Sequence, residues 1–133
     1  MRNINEIILH CADTKVTQSF SIEDVRKWHV EERGWSDVGY HYYIRLNGSL
    51  EIGRPVVKSG AHCRGRNQNT IGVCFEGGKF SDGCEWNKPL SPQIKAFKEL
   101  KKSLFMVFGE LKLSGHYEYS SKTCPNFDID ILK

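Results

Sequence analysis

The chain has 133 residues, enough for one ordinary domain with a single hydrophobic core, and we expect residues 1–133 to form it. Its 19 basic and 16 acidic residues are interspersed and leave a net charge of only +3, so the basic stripe of nucleic-acid-binding proteins is missing. No apolar run approaches the roughly 20 residues of a membrane span, and polar residues interrupt anything like a signal sequence. We therefore expect a cytoplasmic protein that binds neither nucleic acid nor, stably, a membrane.

The first predicted elements are a strand, a helix and a hairpin. NEIILH at 5–10 is a short apolar run typical of a buried strand. Ser21 is the predicted N-cap of a helix whose apolar residues recur at helical spacing, and Gly34 ends that helix. The runs HYYIRL and SLEIGR flank Asn47-Gly48, which is the strongest hairpin signal in the sequence.

The second half of the chain predicts a strand, a long helix and a final strand. TIGVCFE at 70–76 is a second buried run. Ser91 and Pro92 predict the start of the longest helix, with serine as N-cap and proline as its first residue, and Gly109 ends it. ELKLSG is the last predicted strand. The order β-α-β-β-β-α-β predicts an α/β fold with a single mixed sheet flanked by helices.

Two histidines occupy equivalent places, because His10 ends the first predicted strand and His116 follows the last one. Strand ends often face a cleft, so the two side chains can converge, and Cys124 lies far enough beyond His116 for a loop to turn back. Two imidazoles and one thiolate form an open catalytic zinc site with a fourth position for water. Spacing alone leaves other histidines as alternative ligands, namely His29, His41 and His62.

Two further side chains, Lys122 and Tyr40, can each be interpreted as structural or as catalytic. Lys122, two positions before Cys124, is either a solvated loop residue or a cation that stabilises the oxyanion of a tetrahedral intermediate. Tyr40, at the start of GYHYYI, is either a packed strand residue or a hydroxyl that positions or deprotonates a metal-bound water. The remaining cysteines of the 5 are expected to be free thiols, since the sequence has no CxxC pair.

Five segments occur in a characteristic order over residues 4–130: ILHCAD, WHVEERGWSDVGYHYYIRLNGSLEIGR, GAHCRGRNQNTIGVCFEGG, LSPQI and GHYEYSSKTCPNFD. Together they closely resemble the type 2 N-acetylmuramoyl-L-alanine amidases, especially the small zinc-dependent phage lysozymes of amidase type. The resemblance implies the fold shared with peptidoglycan recognition proteins, a mixed sheet of about five strands with zinc in a surface groove. Residues 79–88, KFSDGCEWNK, match no part of the family pattern.

The resemblance also implies roles for individual residues. It assigns Zn²⁺ to His10, His116 and Cys124, and catalysis to Tyr40 and Lys122. His62, in GAHCRG, matches a histidine near the bound muropeptide and is predicted to bind substrate. The implied reaction is zinc-dependent hydrolysis of the amide between N-acetylmuramic acid and L-alanine in peptidoglycan, for phage-type lysis of a host cell.

Three alternatives stay open at this point. The same chemistry could recycle muropeptides in the cytoplasm, because phage lysozymes also wait there until the membrane is permeabilised. A peptidoglycan-binding module without activity is a second alternative, although inactive relatives usually lack the cysteine that Cys124 matches. The third is a regulatory contact with a phage RNA polymerase, on which active-site motifs carry no information.

Overall fold

The computed structural model describes residues 2–133, and its elements follow the predicted order with two short strands added. In chain order they are β1 (Glu6–Cys11), β2 (Thr14–Lys15), α1 (Ile22–Lys27), β3 (Tyr42–Ile44), β4 (Leu50–Ile52), β5 (Thr70–Phe75), β6 (Gly78–Lys79), α2 (Ser91–Phe108) and β7 (Lys112–Gly115). A π-helical turn continues α1 over Trp28–Glu32, and short 3-10 turns lie at Asn67–Asn69, His116–Glu118 and Ile129–Leu132.

The main sheet has five strands in the order β4-β3-β5-β1-β7. Strand β1 runs parallel to β5 and β7, β3 runs parallel to β5, and only the hairpin partner β4 is antiparallel. The predicted mixed sheet flanked by helices is therefore confirmed. The sequence did not predict the separate pair β2–β6, because a two-residue strand is too short to show any periodicity.

The two faces of the sheet pack against different helices, and this decides where His10 points. Along β1 and β5 alternate residues join the core beneath α2, among them Leu9 and Phe75. The other face packs against α1, where Ile22 and Val25 contact Tyr43 and Cys74. His10 is paired with Cys74 in the parallel register, so its side chain lies on the α1 face.

The helix ends agree with the sequence at three of four places. Ser21 caps α1 through a reciprocal capping box with Asp24, and Gly34 follows with a left-handed φ of 69°. Gly109 ends α2 with a φ of 83°. The predicted N-cap of α2 is wrong by one residue, since the cap is Leu90 and the Gln93 side chain accepts its N–H at 3.0 Å.

Within residues 2–133 there is no helix of the length and hydropathy required to cross a membrane.

Candidate metal centre and cleft

His10 and His116 come together because their strands are neighbours in the sheet. His10 lies near the end of β1, and His116 directly follows β7, whose last residue Gly115 pairs with Leu9. The two imidazole rings lie 4.6 Å apart between centroids. The prediction that these histidines converge rested on strand ends facing a cleft, and the structure adds that the two strands are parallel neighbours that end at one edge of the sheet.

The loop after His116 turns back and places Cys124 beside β1. The backbone N–H of Cys11 donates to the Cys124 Sγ at 3.2 Å, and the N–H of Tyr117 donates to the Cys124 carbonyl at 2.9 Å. Farther along, the Asn126 amide donates to Asp13 Oδ1 and to the Gly78 carbonyl, both at 3.1 Å. These contacts fix the loop on both sides of the sulfur.

The three predicted ligands form one cluster. His10, His116 and Cys124 each offer one ligand atom within 4.8 Å of the other two, and they are the only such group of three in the part of the chain that the structure describes. The distance from His10 Nδ1 to Cys124 Sγ is 4.0 Å. The alternative ligands His29 and His41 lie outside the cluster.

The environment of His116 indicates that the cluster fits a metal ion. Its Nδ1 is buried and has no hydrogen-bond partner, the only side-chain nitrogen or oxygen atom in residues 2–133 of which this is true. A buried polar atom without a partner costs about 1–3 kcal/mol, so native proteins rarely keep one. An ion bound between two imidazoles and a thiolate would satisfy it, and this donor set favours zinc.

The local electrostatics favour the ligand protonation states that a metal needs. Hydrogen bonding between the Cys11 and Cys124 side chains, with further contributions from His10 and His116, lowers the pKa of the Cys124 thiol well below its ordinary value. The same hydrogen bond, together with burial, raises the pKa of Cys11 well above its ordinary value, so the thiolate resides on Cys124. Burial lowers the pKa of His10 and keeps its ring neutral. Thiolates and neutral imidazoles are the forms that bind zinc.

The cluster lies in a cleft of ≈690 Å³, which also contains Tyr40, His62 and Lys122. The Tyr40 ring lies 5.0 Å from that of His10, and burial raises the pKa of its hydroxyl well above the usual value. Lys122 is exposed and forms no ion pair with any residue between 2 and 133. Both ring nitrogens of His62 already have partners, His10 at 2.8 Å and Thr70 at 3.1 Å.

Three cleft residues were not predicted as one group. His29, Arg33 and Trp35 line one side, and Arg33 lies 5.2 Å above the Trp35 ring. The His29 Nδ1 accepts the Gly39 N–H at 2.9 Å, and its ring lies 4.6 Å from that of Trp35. The sequence placed His29 on the apolar face of a helix. His29 is buried, as that pattern predicts, although the turn Trp28–Glu32 is π-helical, a form with no simple sequence signal.

Comparisons with known proteins give a family match and several similar sequences and structures. The family model described as N-acetylmuramoyl-L-alanine amidase matches residues 1–127. The endolysin of Escherichia phage T7 is 37% identical over 124 residues, which cover 92% of this chain and 81% of the endolysin. The solved N-acetylmuramoyl-L-alanine amidase LysC from Clostridium intestinale is 28% identical with a TM-score of 0.84, covering 99% of this chain and 84% of LysC. Drosophila peptidoglycan recognition protein SD shares the fold, with a TM-score of 0.82 at 20% sequence identity. The match covers 100% of this chain and 82% of the recognition protein.

Proposed function

Because the chain belongs to the N-acetylmuramoyl-L-alanine amidase family, we propose that it cleaves its substrate with the help of a zinc ion held by His10, His116 and Cys124. The chain is an amidase of peptidoglycan, and the bond in question joins N-acetylmuramic acid to L-alanine. The observation that carries the zinc proposal is the buried, unpartnered Nδ1 of His116 beside a thiolate and a second imidazole. When bound, zinc supplies Lewis acidity that polarises a carbonyl and acidifies a water.

Lys122 is proposed to stabilise the oxyanion of the tetrahedral intermediate. Its ammonium group lies on the cleft wall two residues from Cys124 and is not neutralised by a carboxylate within residues 2–133. A positive charge already in place when negative charge develops on the substrate oxygen lowers the barrier without reorganisation.

Tyr40 is proposed to orient the reacting groups through its phenolic hydroxyl. Because burial raises its pKa, the hydroxyl is protonated at neutral pH and donates a hydrogen bond to a water or to the substrate oxygen. Of the two roles predicted for Tyr40, positioning is therefore favoured over removal of a proton. Tyr40→Phe would lower kcat and leave the zinc content unchanged.

The predicted contact between His62 and the substrate stays a prediction. The ring lines the cleft but is only 7% exposed, and both of its nitrogens are used within the protein. A substrate would therefore meet the carbon edge of the ring, which offers packing but no strong hydrogen bond.

Mass analysis of digested peptidoglycan tests the activity directly. Amidase action releases stem peptides that begin with the free amino group of L-alanine and leaves the glycan strands intact. The matched control is Cys124→Ser, which keeps the size of the side chain and removes the soft ligand, so it should release none of these peptides. New reducing sugar ends would instead indicate a glycosidase, and shortened stem peptides an endopeptidase. Either pattern would refute the proposal.

The match to a phage endolysin supports lysis as the biological setting. The protein would then accumulate in the host cytoplasm and reach the wall once the membrane is permeabilised. Comparison of kcat/KM on intact cell walls and on soluble muropeptides distinguishes lysis from recycling. A lytic enzyme works on the intact wall, whereas a strong preference for soluble muropeptides would favour the recycling alternative.

A further inference from the structure

A chain of hydrogen bonds runs from His10 through His62 and Thr70 and ends at a backbone carbonyl. His10 Nε2 lies 2.8 Å from His62 Nδ1, and His62 Nε2 lies 3.1 Å from the Thr70 Oγ1. The Thr70 hydroxyl in turn donates to the Arg66 carbonyl at 2.8 Å. His10, His62 and Thr70 are 1%, 7% and 2% exposed, so water does not compete for these bonds.

The carbonyl at the end of the chain decides the direction of every bond in it. A carbonyl only accepts, so the single Thr70 hydrogen points to Arg66, and Thr70 Oγ1 accepts from His62 Nε2–H. A neutral imidazole carries one hydrogen, which leaves His62 Nδ1 as the acceptor of His10 Nε2–H. The lone pair of His10 then lies on Nδ1, the atom that faces Cys124 at 4.0 Å.

The backbone around His62 is arranged to hold the ring in this place. The N–H groups of His62 and Cys63 both donate to Asn67 Oδ1 at 3.0 Å. The ring lies directly on Gly72 of β5, where a Cβ atom would be 2.5 Å from His62 Cγ. Glycine is otherwise unfavourable inside a central strand, because it packs nothing and loses the most backbone entropy. Close approach of the ring accounts for its presence.

We propose that His62 and Thr70 are positioning residues that hold His10 as the Nε2–H tautomer and so present its Nδ1 lone pair to the metal. The inference rests on the proposed zinc site and adds a role for His62 that differs from substrate binding. Partners of this kind orient ligating histidines, and their removal typically weakens metal binding by about 10–100-fold.

Zinc affinity of Thr70 variants, measured by competition with a chelator, tests the proposal. Thr70→Val keeps the shape and removes the acceptor, so its zinc dissociation constant should rise about 10–100-fold. Thr70→Ser keeps the hydroxyl and should stay close to wild type. A Thr70→Val protein that is folded and binds zinc as tightly as wild type would overturn the proposal.

A second pair of variants covers the case in which Thr70→Val does not fold. His62→Gln retains one acceptor and one donor, whereas His62→Leu has neither at similar size. The glutamine variant should bind zinc more tightly than the leucine variant, and equal affinities would overturn the proposal. A residue that only contacts substrate would leave the zinc affinity of both unchanged.

Imidazole nitrogen NMR of the metal-free protein separates this inference from the zinc site itself. In wild type, His10 and His62 should both be protonated on Nε2. In Thr70→Val the two rings should no longer be held as these single tautomers. If these tautomers are found but wild type binds no zinc, the proposed function fails and the hydrogen-bond chain stands. If wild type binds zinc with His10 protonated on Nδ1 in the metal-free state, only the chain is refuted.

Discussion

Replacement of Gly72 by alanine should destabilise the protein through one identifiable clash. The added Cβ would lie 2.5, 2.7 and 2.9 Å from three ring atoms of His62, all closer than real Cβ contacts. The ring has no free direction to move in, since His10 and Thr70 hold its nitrogens and Asn67 holds its backbone. The backbone conformation at Gly72 is not left-handed, so the cost is steric rather than conformational.

The expected loss of stability follows from these contacts. Overpacking of a buried site costs about 1–3 kcal/mol. Displacement of the ring would also break two buried hydrogen bonds, each contributing about 1 kcal/mol. The free energy of unfolding should therefore fall by about 3–5 kcal/mol, which for a chain of this size lowers Tm by about 10–20 °C.

Chemical denaturation of the metal-free protein measures this change. Gly65→Ala is the matched control, because its Cβ would meet nothing within 4 Å and its φ of 80° adds only a conformational cost of about 1–2 kcal/mol. The decisive comparison uses His62→Ala as the background. With the ring gone, Gly72→Ala should become neutral or stabilise by about 0.4–1 kcal/mol, because alanine restricts the unfolded chain. Equal destabilisation in both backgrounds would refute the reasoning.

Three other changes test the site and the core. Wild type should bind one zinc, and His116→Ala should lose it while the fold remains, because His116 belongs to neither apolar cluster. A full equivalent of tightly bound zinc in the variant would refute the ligand assignment. Lys122→Ala should lower the rate by about 10²-fold or more with unchanged zinc content, and full activity on intact walls would show that Lys122 is only a solvated loop residue. Burial lowers the pKa of His41 from 6.5 to about 4, so the unfolded chain binds a proton first as the pH falls. The stability that neutral His41 allows is therefore complete above pH 6.5, and about 3 kcal/mol of it is lost as the pH falls from 6.5 to 4. His41→Gln should flatten this part of the curve of unfolding free energy against pH, measured by urea denaturation.

The sequence was sufficient to predict those structural elements that depend on one local pattern. The Asn47-Gly48 hairpin, the Ser21 cap and the two buried strands depend on neighbouring residues, and each is present in the structure. The meeting of His10 and His116 also follows from a general rule, because neighbouring parallel strands present their ends at one edge of a sheet.

The contacts of His62 could not be predicted from a local sequence pattern. Its segment GAHCRGRNQN has few apolar residues, yet the ring is buried against Gly72 and hydrogen-bonded to His10, and only the folded sheet brings these residues together. An isolated glycine inside the strand TIGVCFE was the available signal, since such a residue often marks a close approach. The start of α2 differed for a similar reason, because the Gln93 side chain supplies the cap that serine was expected to provide.

The pairing of β1 with β7 brings together the three proposed ligand side chains from two distant parts of the chain. His10 precedes Cys124 by 114 positions, so it leaves the ribosome long before His116 and Cys124 do. A growing chain can form the α1 helix and the Asn47-Gly48 hairpin before any complete zinc site exists. Capture of the proposed metal by all three side chains must therefore wait until Cys124 has been synthesised, and chains that terminate before Cys124 would lack a complete site. If the proposed zinc site is correct, the metal content of the purified protein would report whether synthesis had passed Cys124.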